Sequence, residues 1–381
     1  MAFAVLYLPL VEDFRASRAE VATVQSAVLL LGGFSGPLVG WAFDRLGPRR
    51  LIQGGAGLAA AALLAASRVE SLAALVAVYG VLGGLGLAAF GSQANMAIAA
   101  LWYPQARGRA IAVADLGTGF GAFCFIPLGQ WLVGAVGWRG TLVVWAALLL
   151  ALVVPLNAFQ RLPAAAEDFR RRRPAAAGPA RSGSDWTLAS AVRSAPFWWL
   201  AACRFFAACA FPLMNTHMVA YAIGQGIAPA AAATALGSVS LVSLAGRLSV
   251  GWLSDRLGRA PALTWAYASA ALGIGALSLL ALTGWPGWLA FYVLLYGLAQ
   301  GSSGIVASAR AADIFAGASF GTIYGWLTLA VGPGEALGAW IGGKIYDATG
   351  SYLGAFALAV AALAAGLAAI WRVRPEPRRS T

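Results

Sequence analysis

The chain has 381 residues, of which 60% are hydrophobic and 10% are charged. Soluble domains carry about 25% charged residues, so this composition excludes a soluble globular protein. The formal net charge is +12, but the arginines lie in the breaks between apolar runs and form no single basic patch, which argues against a nucleic-acid partner.

Apolar runs of about 20 residues, the length that crosses a bilayer as a helix, recur along the chain with short breaks. They predict twelve transmembrane helices in two sets of six, and therefore an all-α polytopic membrane protein. The first helix is too short to span, so we expect the chain to begin inside it. The predicted helices lie at residues 1–10, 21–43, 51–67, 71–101, 108–134, 140–160, 197–223, 229–254, 261–283, 286–312, 321–346 and 351–371.

A segment rich in proline, glycine and arginine separates the two sets of helices. Its polar composition and its helix breakers predict a solvated linker, with the arginines near anionic lipid headgroups. The predicted domains are an N-terminal six-helix bundle at residues 1–160, a cytoplasmic linker at 161–195, a C-terminal six-helix bundle at 196–372 and a cytoplasmic tail at 373–381.

One stretch of sequence occurs twice, once in each half, and we call its copies the duplicated segments (residues 36–50 and 246–259). Both copies lie between long apolar runs, and matching positions are 211 residues apart. An aspartate where a helix ends can interact with the positive N-terminus of a neighbouring helix. The shared residues are Gly40, Asp44 and Arg45 in the first copy and Gly251, Asp255 and Arg256 in the second.

A glycine, an aspartate and an arginine with this spacing, between hydrophobic helices and repeated once per half, resemble the signature loop of the major facilitator superfamily of membrane transporters. The resemblance implies two six-helix halves that rock around a site near the middle of the membrane. It also implies that Asp44 and Asp255 help to hold the halves together on the cytoplasmic side and release them when the transporter opens inward.

The distribution of basic residues predicts the orientation. Nineteen of the 26 lysines and arginines lie on the side of the duplicated segments, five lie on the other side, and two lie within helices. Because basic residues are enriched in cytoplasmic loops, the duplicated segments and both termini are expected in the cytoplasm. We expect a multi-pass protein of a bacterial inner membrane, and a monomer.

Arg247 lies two turns inside the eighth predicted helix, four residues before Gly251. A charged side chain inside a membrane is costly unless it is paired, and it marks a substrate or ion pathway by default. The planar guanidinium can bind a carboxylate through two parallel hydrogen bonds. Arg247 is therefore the main candidate for binding an anionic substrate, although a structural ion pair is the alternative.

Residues 241–256, which include Arg247, resemble the corresponding helix of the monocarboxylate porter and oxalate–formate antiporter group. Further stretches agree at residues 9–18, 47–50, 137–139 and 346–352. In that group the matching arginine binds the substrate carboxylate. Ser243 replaces an aspartate of the animal porters, and Val331 replaces a lysine of the antiporters. One buried cation suits a monoanion better than a dianion, so the expected substrate is a small monocarboxylate and not oxalate.

Two acids and one histidine are candidates for carrying a proton. Glu335 lies in the middle of an apolar helix, where the neutral form of the carboxyl is favoured. The alternative role of Glu335 is to neutralise the charge of Arg247. Asp115 lies about a turn and a half inside the fifth helix. Either acid can also satisfy amides at a helix end. His217 is the only histidine and its ordinary pKa suits a proton-linked step, although a merely structural histidine fits equally.

Several polar residues are candidates for lining the cavity, or alternatively for joining helices by hydrogen bonds. They are Gln93, Asn215, His217, Ser243 and Gln300. Arg204, two turns into the seventh helix, is expected to have a structural role or to extend towards the membrane surface.

These features together predict a proton-coupled transporter of a small carboxylate that works by alternating access, with no cofactor and no metal. The main alternative is a proton-coupled efflux pump for amphipathic drugs with the same fold. A membrane-embedded enzyme would need a polar catalytic cluster, and the sequence shows no such cluster. A sensor that has lost transport remains a further alternative.

Overall fold

The computed structural model describes residues 3–91, 95, 98, 102, 107–160, 186–315 and 320–373. Throughout these residues the regular structure is helical, which confirms the all-α prediction. Seven of the described helices are long and apolar enough to cross a membrane. The count of twelve spans stays a prediction.

Helices of the first half are α1 to α8, and two π-helical segments interrupt them. Their bounds are α1 Phe3–Phe14, α2 Arg18–Phe34, α3 Gly36–Leu46, α4 Pro48–Ala66, α5 Leu72–Leu75, a π-helix Val76–Gly83, α6 Gly84–Phe90, α7 Arg107–Leu148, a π-helix Leu149–Val153 and α8 Val154–Ala158.

Helices of the second half are α10 to α17, and the short helix α9 precedes them. Their bounds are α9 Leu188–Val192, α10 Ala195–Gly224, α11 Pro229–Leu257, α12 Arg259–Thr283, α13 Trp288–Ala299, α14 Ser302–Phe315, α15 Phe320–Thr328, α16 Val331–Thr349 and α17 Leu353–Arg372.

The first helix is longer than predicted. It continues past Leu10 to Phe14, and Asp13 in its last turn pairs with Arg139 at 2.7 Å. The end of the predicted linker is also helical. Here Thr187 and Ser190 exchange hydrogen bonds in a capping box, which satisfies the free amides of the first turn of α9.

The predicted fifth and sixth helices follow one another as the single element α7, with a sharp bend at Gly137. This residue has φ +70°, a conformation that glycine adopts at little cost. The bend separates two helical rods, as the sequence predicts.

Four predicted helices are broken where the sequence predicts continuity. The fourth breaks at Gly91, where the backbone is extended. The second breaks at Ser35, before a Gly-Pro pair that starts α3, and the eleventh breaks between Thr328 and Val331. The tenth breaks at Gln300 and Gly301, where the backbone turns extended and then left-handed, with φ +86° at the glycine. Hydropathy reports the apolar length of a segment and carries no information about these breaks.

The duplicated segments are mostly helical, and the chain turns only at their last glycines. Gly47 has φ +79° and Gly258 has φ +95°, so the same left-handed junction occurs in both halves. These junctions define one end of the bundle, which we call the loop end. The opposite end carries residues 15–18 and 349–352.

Contacts between the halves extend from the opposite end to the middle of the bundle. Ser26 of α2 donates a 2.7 Å hydrogen bond to the carbonyl of Ala336 on α16. Lower on the same pair of helices, a methyl group on Gly33 would lie only 2.5 Å from the Cα of Gly332. Towards the loop end, α3 packs on α4 and α6, while α15 packs on α10 and α14. The halves therefore meet closely in the region between the opposite end and the middle.

Candidate functional site

The break in the tenth predicted span lies beside Arg247. A methyl group on Gly301 would lie 2.5 Å from Nε of Arg247, so the guanidinium occupies space that only a glycine leaves open. Arg247 is ten residues from the end of α11 at Leu257, which places it about 15 Å from the loop end. That depth corresponds to the middle of a hydrocarbon core about 30 Å thick.

A second arginine approaches the same turn. In the described part of the chain, Nη1 of Arg204 would lie 3.1 Å from a methyl group on Gly304, which is one helical turn after Gly301. Arg204 is nine residues inside α10 and therefore about 14 Å from the loop end. The structure thus places Arg247 and Arg204 against glycines three residues apart, one in the break and one in the first turn of α14, a juxtaposition that the sequence analysis missed.

Glu335 on α16 lies at the depth of Arg204, because a methyl group on the adjacent Gly334 would lie 2.6 Å from the carbonyl oxygen of Phe205, the residue after Arg204. Arg204 interacts electrostatically with Glu335. No ion pair shorter than 4.0 Å joins them. Glu335 is therefore placed to balance the charge of Arg204 at longer range, where the sequence offered Arg247 as its counterpart.

Two of the predicted cavity residues lie in this region. Ser243 precedes Arg247 by four residues on α11, and Gln300 lies at the break between α13 and α14. Ser243 is buried on α11, and its hydroxyl donates a 2.7 Å hydrogen bond to the carbonyl of Ser240. This bond uses the hydroxyl proton, so only the lone pairs of the oxygen remain. Gln300 is also buried and forms the break itself, with its backbone amide bonded to the carbonyls of Tyr296 and Gly297 at 3.1 Å.

Asn215 lies further along α10, within the second half. Its Oδ1 accepts a 3.4 Å hydrogen bond from the hydroxyl of Tyr296, which also donates to the carbonyl of Phe211 at 3.2 Å. Tyr296 stacks on Tyr292 with the ring centroids 4.8 Å apart. In this conformation Asn215 connects α10 to α13.

His217 lies away from the arginines. It is thirteen residues beyond Arg204 on α10, about 20 Å along the helix towards the opposite end. Its Nε2 is 2.8 Å from the carbonyl oxygen of Ala339, and its buried ring lies against those of Tyr7 and Tyr352, with centroids 5.1 and 5.3 Å away. The structure therefore groups His217 with residues that join the halves, and not with Arg247.

The same group of residues closes the opposite end. The carboxylate of Asp347 on α16 accepts hydrogen bonds from the backbone amides of Arg18 and Ala19 at the start of α2. The guanidinium of Arg18 lies over the ring of Tyr346, 3.7 Å from its centroid, and also donates to the hydroxyl of Tyr352. These contacts link the first half to the second, and hydropathy contains no signal for them.

At the loop end, the second duplicated segment forms its ion pairs within its own half. Asp255 accepts a 2.6 Å hydrogen bond from Arg259, which also binds Asp313 at 3.1 Å. Arg259 therefore connects the end of α11 to the end of α14 through two carboxylates. Arg256 lies over the ring of Trp252, as Arg45 lies over that of Trp41 in the first half.

Some predicted site residues lie outside the described part. All of Gln93 lies outside it, and so do the side chains of Asp44 and Asp115 and the surroundings of Gly40. Gly251 is described, and a methyl group there would meet nothing within 4 Å. The roles of all these residues in the gate, in substrate binding or in proton coupling stay predictions.

Comparisons with known proteins agree on the fold. A family profile described as Major Facilitator Superfamily matches residues 1–309. The chain is 30% identical over 375 residues to Monocarboxylate transporter 13 of Rattus norvegicus, covering 96% of this chain and 82% of that protein. The Bos taurus protein of the same name is 29% identical over 374 residues, with the same coverage. A crystal structure of the D-xylose-proton symporter superposes with a TM-score of 0.74 at 16% identity, over 99% of this chain and 93% of that one, which shows likeness of fold alone.

Proposed function

The chain belongs to the major facilitator superfamily and is a transporter, not an enzyme, and from this premise we propose that it moves a small monocarboxylate together with a proton by alternating access. Relatives that are named monocarboxylate transporters support a small carboxylate as substrate. Major facilitator proteins bind their substrates near the bilayer midplane between the two repeats.

The observation that carries the proposal is the position of Arg247. Its guanidinium lies at the middle depth of the bundle, against the backbone of Gly301 at the break between α13 and α14. A guanidinium presents donors in a planar fork that matches a carboxylate. In a poorly solvated cavity this interaction is stronger than in water. Arg247 would therefore bind the carboxylate of the substrate, with Ser243, Gln300, Asn215 and Gln93 as further candidates.

For proton coupling, Glu335 is the first candidate. It lies on α16 among apolar residues, and its charged neighbour Arg204 contributes to the same central region as Arg247. Protonation of Glu335 would change the charge of this region by one unit, which is how a proton and an anion can be bound together. Asp115 and His217 are the other candidates.

We further propose that the loop end faces the cytoplasm, as the basic residues favour, in a bacterial inner membrane. The described contacts of Asp347 and Arg18 between the halves would then lie at the outer end. In the state in which the two halves meet at the loop end, Asp44 and Asp255 would contact the partner half. The protein is proposed to act as a monomer.

Uptake into proteoliposomes tests the proposal. The purified protein is reconstituted, and radiolabelled small carboxylates are offered with and without an inward proton gradient. We expect accumulation of a monocarboxylate that the gradient drives and that an ionophore for protons abolishes. Protein-free liposomes and the Arg247→Ala variant are the controls. Transport of amphipathic cations in place of carboxylates would support the efflux-pump alternative and contradict the proposal.

A further inference from the structure

We propose that Arg204 is a second anion-binding residue of the central site, and that Glu335 competes with a second acidic group of the substrate for it. This inference rests on the proposed function of Arg247. It extends the substrate class from monocarboxylates to acids with two carboxylates at the ends of a short chain.

The first support is geometric. The Nε of Arg247 and the Nη1 of Arg204 would lie 2.5 and 3.1 Å from methyl groups on Gly301 and Gly304. These glycines are three residues apart, Gly301 in the break and Gly304 in the first turn of α14, so both arginines border the start of this helix. Arg204 comes from α10 and Arg247 from α11, so the two side chains approach this turn from different helices.

The second support is electrostatic. A cation at the middle of a membrane is costly unless an anion compensates it, because little water screens its charge. Glu335 interacts electrostatically with Arg204, and it carries one negative charge at most. When Glu335 is ionised it balances Arg204, and one substrate carboxylate suffices for Arg247. When Glu335 is neutral, Arg204 is available to a second carboxylate.

The third support is the presence of a second cation. The expectation of a monoanion assumed a single buried cation, whereas the structure places Arg204 and Arg247 against glycines three residues apart. The buried Tyr267 on α12 interacts electrostatically with Arg204 and adds a hydroxyl to this region.

Binding of two acids of equal chain length tests the inference. Succinate and butyrate are titrated against the purified full chain in detergent, with five variants alongside the wild type. The variants are Arg204→Gln, Arg204→Lys, Glu335→Gln, Arg247→Ala and Arg310→Gln. Arg310→Gln is the matched control, because it removes an arginine of α14. Arg310 donates to the carbonyl of Val373 near the loop end, away from the site.

We expect Arg204→Gln to weaken succinate binding by about tenfold or more and to change butyrate binding little. Arg204→Lys should retain part of the succinate affinity, since it keeps the charge. Glu335→Gln should shift the preference of the site towards succinate. Arg310→Gln should leave both affinities at the wild-type level.

Other outcomes contradict the inference in ways that can be told apart. Equal losses for both acids in Arg204→Gln, or no loss for either, assign Arg204 a structural role. If Arg204→Gln fails to fold, the affinities of Arg204→Lys for succinate and butyrate are compared with those of the wild type instead. If Arg247→Ala keeps its affinity for both acids, the proposed function itself fails. If Arg247→Ala loses both but Arg204→Gln leaves the succinate-to-butyrate ratio unchanged, only the present inference fails.

Discussion

The carboxylate of Asp347 accepts a 2.9 Å hydrogen bond from the backbone amide of Arg18, although the two residues are 329 positions apart and belong to different halves. Its second oxygen accepts from the amide of Ala19 at 2.7 Å. The first amides of a helix lack partners within the helix, and the helix dipole makes that end positive. Asp347 thus stabilises the start of α2 only while the halves are together at this end.

Replacing this carboxylate should favour the state in which the opposite end is open. Asp347→Asn keeps an acceptor but loses the charge, and the loss of a charge at a helix N-terminus is worth about 0.3–1 kcal/mol. We expect a severalfold rise in labelling of a cysteine introduced near Tyr352 by a water-soluble reagent. Asp13→Asn is the matched control, because Asp13 pairs with Arg139 inside one half. Equal labelling of both variants and the wild type would exclude this role.

Close contact at the middle of the interface predicts a sharp difference between adjacent glycines. A methyl group on Gly33 would lie 2.5 Å from the Cα of Gly332, whereas one on Gly32 would meet nothing within 4 Å. Gly33→Ala should therefore destabilise the observed state by about 1–3 kcal/mol and slow transport, while Gly32→Ala should behave as wild type. Thermal unfolding and uptake rates measure both effects. Similar losses in the two variants would show that helix propensity, and not contact between the halves, is responsible.

The duplicated segments predict slower transport when their aspartates lose charge. In the observed state Asp255 binds Arg259 within its own half. Asp255→Asn and Asp44→Asn should therefore leave the fold intact. Each should weaken the state in which the two halves meet at the loop end. We expect lower uptake rates at equal abundance in the membrane. Wild-type rates in both variants would count against a gating role.

Much of the fold could be predicted from the sequence, because the lengths of the apolar runs and the spacing of the duplicated segments can be read from it directly. The breaks at Ser35 and Gln300 could not, since they depend on backbone angles that hydropathy does not report. Arg204 was assigned a structural role because its position in the helix gives its depth but not the face it occupies. The pairing of Asp347 with α2 depends on how two distant helices meet.

A proton-carrying role for Glu335 predicts a specific loss of coupling. Glu335→Gln removes the titratable group and keeps the size of the side chain, so accumulation driven by a pH gradient should fall to the level of exchange alone. Exchange of labelled for unlabelled substrate at equal pH should persist. Both are measured in the same proteoliposomes. If the pH gradient still drives accumulation, the role passes to Asp115 or His217, or proton coupling leaves the proposal.

Substitution of Arg247 tests the proposed contact with the substrate most directly. Arg247→Lys keeps the charge but loses the planar fork, so affinity for the carboxylate should fall. Arg247→Ala should lose about 2–5 kcal/mol of binding if the charge pair is buried. The amide analogue of the substrate should bind weakly to the wild type and should discriminate little between the wild type and Arg247→Ala.

Measuring the acid and the amide against both proteins separates recognition from a structural ion pair. If Arg247 only pairs with an acid of the protein, Arg247→Ala should harm folding or gating, and any binding that remains should still favour the acid over the amide. If Arg247 binds the substrate, a well-folded Arg247→Ala should lose that preference, because the guanidinium is the group that distinguishes a carboxylate from a neutral amide. Undiminished affinity for the acid in this variant would end the monocarboxylate proposal and leave the transporter fold without an assigned substrate.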